Sequence, residues 1–180
     1  MIFDLSQLGR HGAHDEHVER TFPPSAFEPQ DEDYRVVAPV SLVMDVHKDG
    51  DAVRAAGRVT TTLELDCGRC LEPFAMPVDS TFDLRYVPQH ANVRDDEESE
   101  VAEDDLTTAF YSDDRLDLGE LMREQFQLAL PMKPLCRPDC RGLCAQCGTN
   151  LNRGTCDCHP HWDDPRLAPL KGLLNREKEN

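Results

Sequence analysis

The chain has 180 residues, with 19 Lys and Arg against 35 Asp and Glu, for a formal net charge of −16. That length suits one ordinary domain with a small satellite, and a chain 39% apolar and 30% charged is globular but polar, with some disorder expected. So acidic a chain lacks the overall basic footprint of a nucleic-acid binder. No apolar run approaches the ~20 residues of a membrane helix. The start, Met1-Ile2-Phe3-Asp4-Leu5, lacks the basic and apolar segments of a secretory leader. A cytoplasmic protein with no membrane association is expected. The charge is uneven: residues 133–180 hold 8 basic and 6 acidic side chains, net +2, whereas residues 1–132 hold 11 and 29, net −18. Two parts with different partners are implied, since net charge governs association rather than fold.

Residues 10–33 are rich in His, Asp, Glu and Pro, and read as a short polar element followed by a mobile connection, with Pro23, Pro24 and Pro29 against a continuous helix. Val40, Leu42, Met44 and Val46 then alternate with Ser41, Val43 and Asp45, a half-buried strand. Asp49-Gly50 signals a hairpin turn. Arg58 to Asp66 alternates again, with Val59, Thr61, Leu63 and Leu65 on one face, and a third strand runs from about Val78 to Tyr86. An antiparallel meander with one packed face results. Eight of the eleven residues 95–105 are acidic, so this stretch is a solvated loop. Asp117-Leu118-Gly119-Glu120 resembles a capping box, and Leu118, Leu121, Met122, Phe126, Ala129 and Leu130 follow at helical spacing until Pro131 and Pro134. That helix covers the sheet. Asp164-Pro165 opens a last short helix with Leu167, Leu170 and Leu174 on its buried edge. The expected class is α+β, an antiparallel meander packed by one main helix and followed by a small zinc-binding, cysteine-rich module. The expected parts are a polar segment 1–34, a core 35–132 with an acidic loop at 90–105, and a metal-binding tail 133–180.

The tail reads Cys136-x3-Cys140-x3-Cys144-x2-Cys147-x8-Cys156-x-Cys158. Few large apolar side chains accompany these cysteines, so a tetrahedral zinc supplies the missing cross-link and can carry the folding free energy of such a module. With no leader the compartment is reducing, where clustered cysteines bind metal more often than they pair. Cys144-Ala-Gln-Cys147-Gly148 is the sharpest piece: two thiolates chelate across a tight turn, and Gly148 tolerates the positive φ that follows. Six thiols exceed one tetrahedral ion. Cys144 and Cys147 are joined by either Cys136/Cys140 or Cys156/Cys158, and the spare pair is either structural or joins Cys67 and Cys70 in a second site. His159 and His161 are weaker substitutes for a cysteine ligand, and iron–sulfur ligation is the minor metal alternative. A four-thiolate zinc carries net −2, so Arg137, Arg141 and Arg153 read first as its electrostatic support. Phosphate contact by these three and Lys133 is the sharper reading.

Cys67-Gly68-Arg69-Cys70 invites comparison with a thioredoxin-type thiol, but it follows a strand, and Leu71 to Pro77 cannot start the helix that would lower a thiol pKa. A buried or metal-linked turn is preferred to a thiol oxidoreductase. His11, His14 and His17 share a spacing of three that would align on a helix, although a solvated polar segment is the simpler reading. There is no phosphate-cradling loop, nucleophile elbow or His-Glu-x-x-His. All-cysteine closure is structural rather than catalytic, so no enzyme and no small-molecule substrate are expected.

Leu65-Asp66-Cys67-Gly68-Arg69-Cys70-Leu71-Glu72-Pro73-Phe74 resembles the central signature of the YceD family, and the run from Cys136 to Gly148 resembles the cysteine-rich tail of many members. Leu128-Ala129-Leu130-Pro131, Asn150-Leu151-Asn152, Cys156-Asp157-Cys158 and Asp164-Pro165-Arg166-Leu167 extend the likeness in order, over residues 35–175. The resemblance implies a non-enzymatic role in accumulation of 23S ribosomal RNA and large-subunit biogenesis. Its implied partner is large-subunit ribosomal RNA or a pre-ribosomal particle, with a small basic zinc-ribbon ribosomal protein as a further candidate. Beside it stand two alternatives: an acidic zinc-binding interaction protein that chaperones a basic ribosomal protein, and a direct RNA-binding module.

Overall fold

A computed structural model describes residues 1–8, 15–28, 33–88 and 108–158. The chain divides into two units, Met1–Cys67 with Glu72–Cys136, and Gly68–Leu71 with Arg137–Asn180.

The first unit is a sheet covered by a helix. Strands β1 (Ile2–Asp4) and β2 (Asp15–Phe22) come first, then the short β3 (Arg35–Val36). The meander follows as β4 (Val40–Asp49), β5 (Ala52–Asp66) and β6 (Pro73–Pro88). Its alternation is as read: Val40, Leu42, Met44 and Val46 are buried, as are Val59, Thr61, Leu63 and Leu65. A two-residue loop, Gly50-Asp51, joins β4 to β5, with a positive φ of 60° at Gly50. Strand β5 starts six residues before the expected Arg58, because Ala55-Ala56-Gly57 gives no alternation signal. Pro77 sits within β6 because nothing there needs its amide. Among the described residues, strand β7 (Thr108–Tyr111) pairs with Arg85–Pro88 and the rest of β6 has no partner on that side.

Helix α1 (Leu118–Ala129) follows β8 (Arg115–Asp117). The Asp117 carboxylate accepts the amides of Gly119 at 2.7 Å and Glu120 at 3.3 Å. Leu118, Leu121, Met122 and Phe126 are buried, and the Phe126 ring meets those of Phe27 at 5.5 Å and Tyr34 at 5.9 Å. Gln125 is also buried, which the apolar stripe did not foretell, and its side-chain oxygen accepts the Ser80 hydroxyl at 3.0 Å.

Two features correct the sequence reading. Residues 15–22 are not a polar element leading to a connection but a full strand, antiparallel to β4 from Asp15↔His47 to Phe22↔Val40. Only Val18 is buried on β2, so the strand carries no apolar alternation to read. His17 therefore lies on a strand rather than a helical face, with Nδ1 2.7 Å from Asp45. The sheet is also mixed rather than purely antiparallel, since β7 runs parallel to β6. A parallel pair needs a long connection, and in the sequence 19 residues, 89–107, separate β6 from β7. The acidic stretch, His11, His14, His159, His161 and the helix expected at Asp164 all lie outside the described residues.

Strands β1 and β8 form a separate antiparallel pair. The outward face of β2 to β6 is laced with ion pairs: Arg54 with Asp83, Arg58 with Asp79, and Arg35 with Glu64 at 2.6 Å. Arg58 holds the Asp79 carboxyl below the usual range. Such exposed pairs contribute little stability each.

The second unit is built from turns. Among its described residues the bridge Leu143↔Asn150 is the one ladder-like pairing. With few large apolar side chains, its order comes from hydrogen bonds and from its sulfur atoms.

Candidate metal centres

The Cys144–Cys147 turn is closed by backbone. The Cys144 amide donates to the Thr149 carbonyl at 2.9 Å, and the Gly148 amide donates back to the Cys144 carbonyl at 2.9 Å. Gly148, with φ +72°, turns the chain after the second thiol, a conformation that costs a glycine little. The turn at Cys67–Cys70 repeats this geometry. There the Cys67 amide donates to the Glu72 carbonyl at 3.0 Å, again five residues on, and Leu71 takes φ +57°.

The thiols gather into two groups of four, Cys144, Cys147, Cys156 and Cys158, and Cys67, Cys70, Cys136 and Cys140. Within each group the ligand atoms lie within 4.8 Å of one another. Of the pairings that the spacing left open, the thiol positions bring Cys156/Cys158 to Cys144/Cys147 and Cys136/Cys140 to Cys67/Cys70. Side chains around them hold the loops. Asn152 donates to Cys140 Sγ at 3.3 Å, and its Oδ1 accepts the Arg137 guanidinium and the Arg141 amide, each at 2.8 Å. Arg69 Nη1 donates to the Cys140 carbonyl at 2.8 Å. Both Asn152 and Arg69 lie within the cysteine motifs, whose spacing gives no sign of their loop-holding role.

Sulfur atoms this close cannot all ionise alone. In the first group Thr149 lowers the Cys147 thiol to about 6, and backbone amides of Cys147 and Gln146 lower Cys144. The Cys147 sulfur in turn pushes Cys158 up to about 12, and Cys156 is raised mainly by Cys144 despite a backbone amide that favours its thiolate. Such a set holds its last protons until a cation replaces them. Four convergent thiols fit a soft tetrahedral ion, zinc or an iron–sulfur centre, and each set supplies all four ligands. Of the other residues singled out by sequence, Arg137, Arg141 and Arg153 are exposed in the second unit, with Arg137 also 3.6 Å from Asp139, and Lys133 is exposed in the first.

Comparison with known proteins follows the same residues. A family model described as "Large ribosomal RNA subunit accumulation protein YceD" matches residues 55–174. A chloroplastic YCED homolog 1 of Zea mays, named a large ribosomal RNA subunit accumulation protein, is 29% identical over 76% of this chain, and its counterpart in Arabidopsis thaliana is 27% identical over 82%. The chain spans 54% and 52% of those two relatives' lengths, about half of each. An uncharacterised protein of Mycobacterium leprae is 30% identical over 97% of this chain and 77% of its own length. No solved structure matches. No helix among the described residues is long and apolar enough to cross a membrane. With its model matched from the meander through the cysteine-rich tail, the chain belongs to the YceD family.

Proposed function

We propose that this protein is a non-enzymatic, cytoplasmic assembly factor that supports accumulation of 23S ribosomal RNA and the large ribosomal subunit. The observation that carries the reading is the family match over residues 55–174, whose description names that RNA subunit. In this reading each four-cysteine set holds a zinc ion that serves structure, because all four ligands come from the chain and none is left for substrate. Arg137, Arg141 and Arg153 approach RNA phosphates, helped by Lys133, while the acidic sheet unit engages a basic component of the particle, such as a small basic ribosomal protein. Complementary potential favours that division of labour.

The test is the ratio of large to small ribosomal RNA after depletion, with subunit profiles alongside. A selective fall in the large RNA, restored by the wild-type chain, is expected, and an unchanged ratio overturns the reading. Rescue with Cys144→Ser and Cys147→Ser together then shows whether the tail's metal matters to the role. Direct RNA contact predicts that charge removal at Arg137, Arg141 and Arg153 weakens binding to large-subunit RNA and flattens its salt dependence.

A further inference from the structure

The sheet unit contains a groove that the metal centres do not use. It runs between β7 and α1 as two adjoining depressions of 400 and 470 Å³ that share Thr108, Ala109 and Glu124. Phe110 on β7 is 51% exposed and lines one; Leu128 on α1 is 79% exposed and lines the other. Glu120, Glu124 and Leu128 follow one another at four-residue steps, so they form a single ridge along the helix.

Among the described residues no basic nitrogen comes within the 4.0 Å of an ion pair with Glu120 or Glu124. Arg123, the nearest arginine in sequence, is turned onto the Phe27 ring at 5.8 Å, and Arg115 lines the groove without pairing. The spacing of Glu120 and Glu124 is itself repulsive. On the outward sheet face, by contrast, Asp79, Asp83 and Glu64 are each held by an arginine. Glu120 and Glu124 are both exposed and so open to a partner, and burial first, with Glu120 second, pushes the Glu124 carboxyl up.

We propose that this groove binds a basic polypeptide segment, with lysine or arginine side chains against Glu120 and Glu124 and an apolar side chain against Phe110 and Leu128. A nucleic-acid strand would bring phosphate onto two carboxylates, and a purely apolar partner would bury them unpaired. The proposal deepens the basic-partner part of the reading above by naming where that partner docks.

The test uses the full chain and a fluorescein-labelled twelve-residue peptide of alternating lysine and leucine, read by fluorescence anisotropy. A glutamate–leucine peptide and a uridine dodecamer are the comparison probes. The basic peptide binds, and Glu120→Gln with Glu124→Gln weakens it about tenfold, as loss of two close charge pairs predicts. Leu128→Ser weakens it as well, while Asp79→Asn with Asp83→Asn leaves the affinity unchanged. An unchanged thermal midpoint confirms that the glutamine variant is folded. Equal binding by that variant, or equal binding of the acidic peptide or the RNA, overturns the proposal. A groove that binds as expected while depletion leaves the RNA ratio unchanged removes the ribosomal reading alone. An altered ratio with an indifferent groove removes the groove alone.

Discussion

Leu71 is 66% exposed and sits at φ +57°, a left-handed position that costs a leucine about 1–2 kcal/mol. The strain buries no apolar surface in return, and it lies directly after Cys70, where Gly148 follows Cys147 in the matching turn. Leu71→Gly is expected to be neutral or to stabilise by up to about 1 kcal/mol, since relief of strain is set against glycine's greater unfolded freedom. Leu71→Val should destabilise by more than about 1 kcal/mol, because branching at Cβ makes the left-handed region worse. Thermal unfolding of the two variants against wild type checks the pair, and equal midpoints would show that φ at this residue does not matter. The motif spelled out this turn only in part: the two cysteines were legible, but a left-handed leucine is not.

At the scale of elements, α1 is where sequence and structure agree most closely. Asp117→Ala should cost about 1 kcal/mol through loss of the cap. Burial raises the Asp117 carboxyl, but the Gly119 and Glu120 amides and the amino terminus together hold it below its ordinary 3.8. Its folded pKa is thus depressed, so this contribution is complete above the unfolded pKa and disappears as pH falls through the lower folded value. The urea stability difference between wild type and variant should be full near neutral pH and shrink as pH falls below 3.8 through the depressed folded value. Phe126→Ala, which empties the space against Phe27 and Tyr34, is expected to cost about 3–5 kcal/mol. Leu128→Ala, two residues on but exposed, should stay within about 0.5 kcal/mol. A helix period separates these neighbours from sequence alone. It does not find Gln125, whose burial depends on Ser80 arriving from β6.

For the whole molecule the two units differ in what holds them. The sheet unit buries a continuous apolar cluster from Phe3 to Phe126, whereas the second unit has short turns and closely placed thiols. A strong chelator should therefore leave amides of β4, β5 and β6 protected from hydrogen exchange while those of residues 144–158 lose protection. Retained protection in 144–158 would mean that hydrogen bonds suffice there without metal. Metal analysis of the purified chain should give two zinc ions, and Cys156→Ser with Cys158→Ser should remove one of them.

The alternating strands, the capped helix and the cysteine pairs were determined by sequence, because each depends on neighbours a few residues away: a period of two, a period of 3.6, a two-residue turn. Tertiary structure alone decided the rest. Strand β2 is ordered by its register on β4 rather than by apolar residues of its own, and four-residue β7 pairs with β6 across a long separation in sequence. The division of eight thiols into two sets of four likewise turns on which loops meet. Spacing along a chain limits which sulfurs can share an ion, but only the fold brings Cys70 within reach of Cys140.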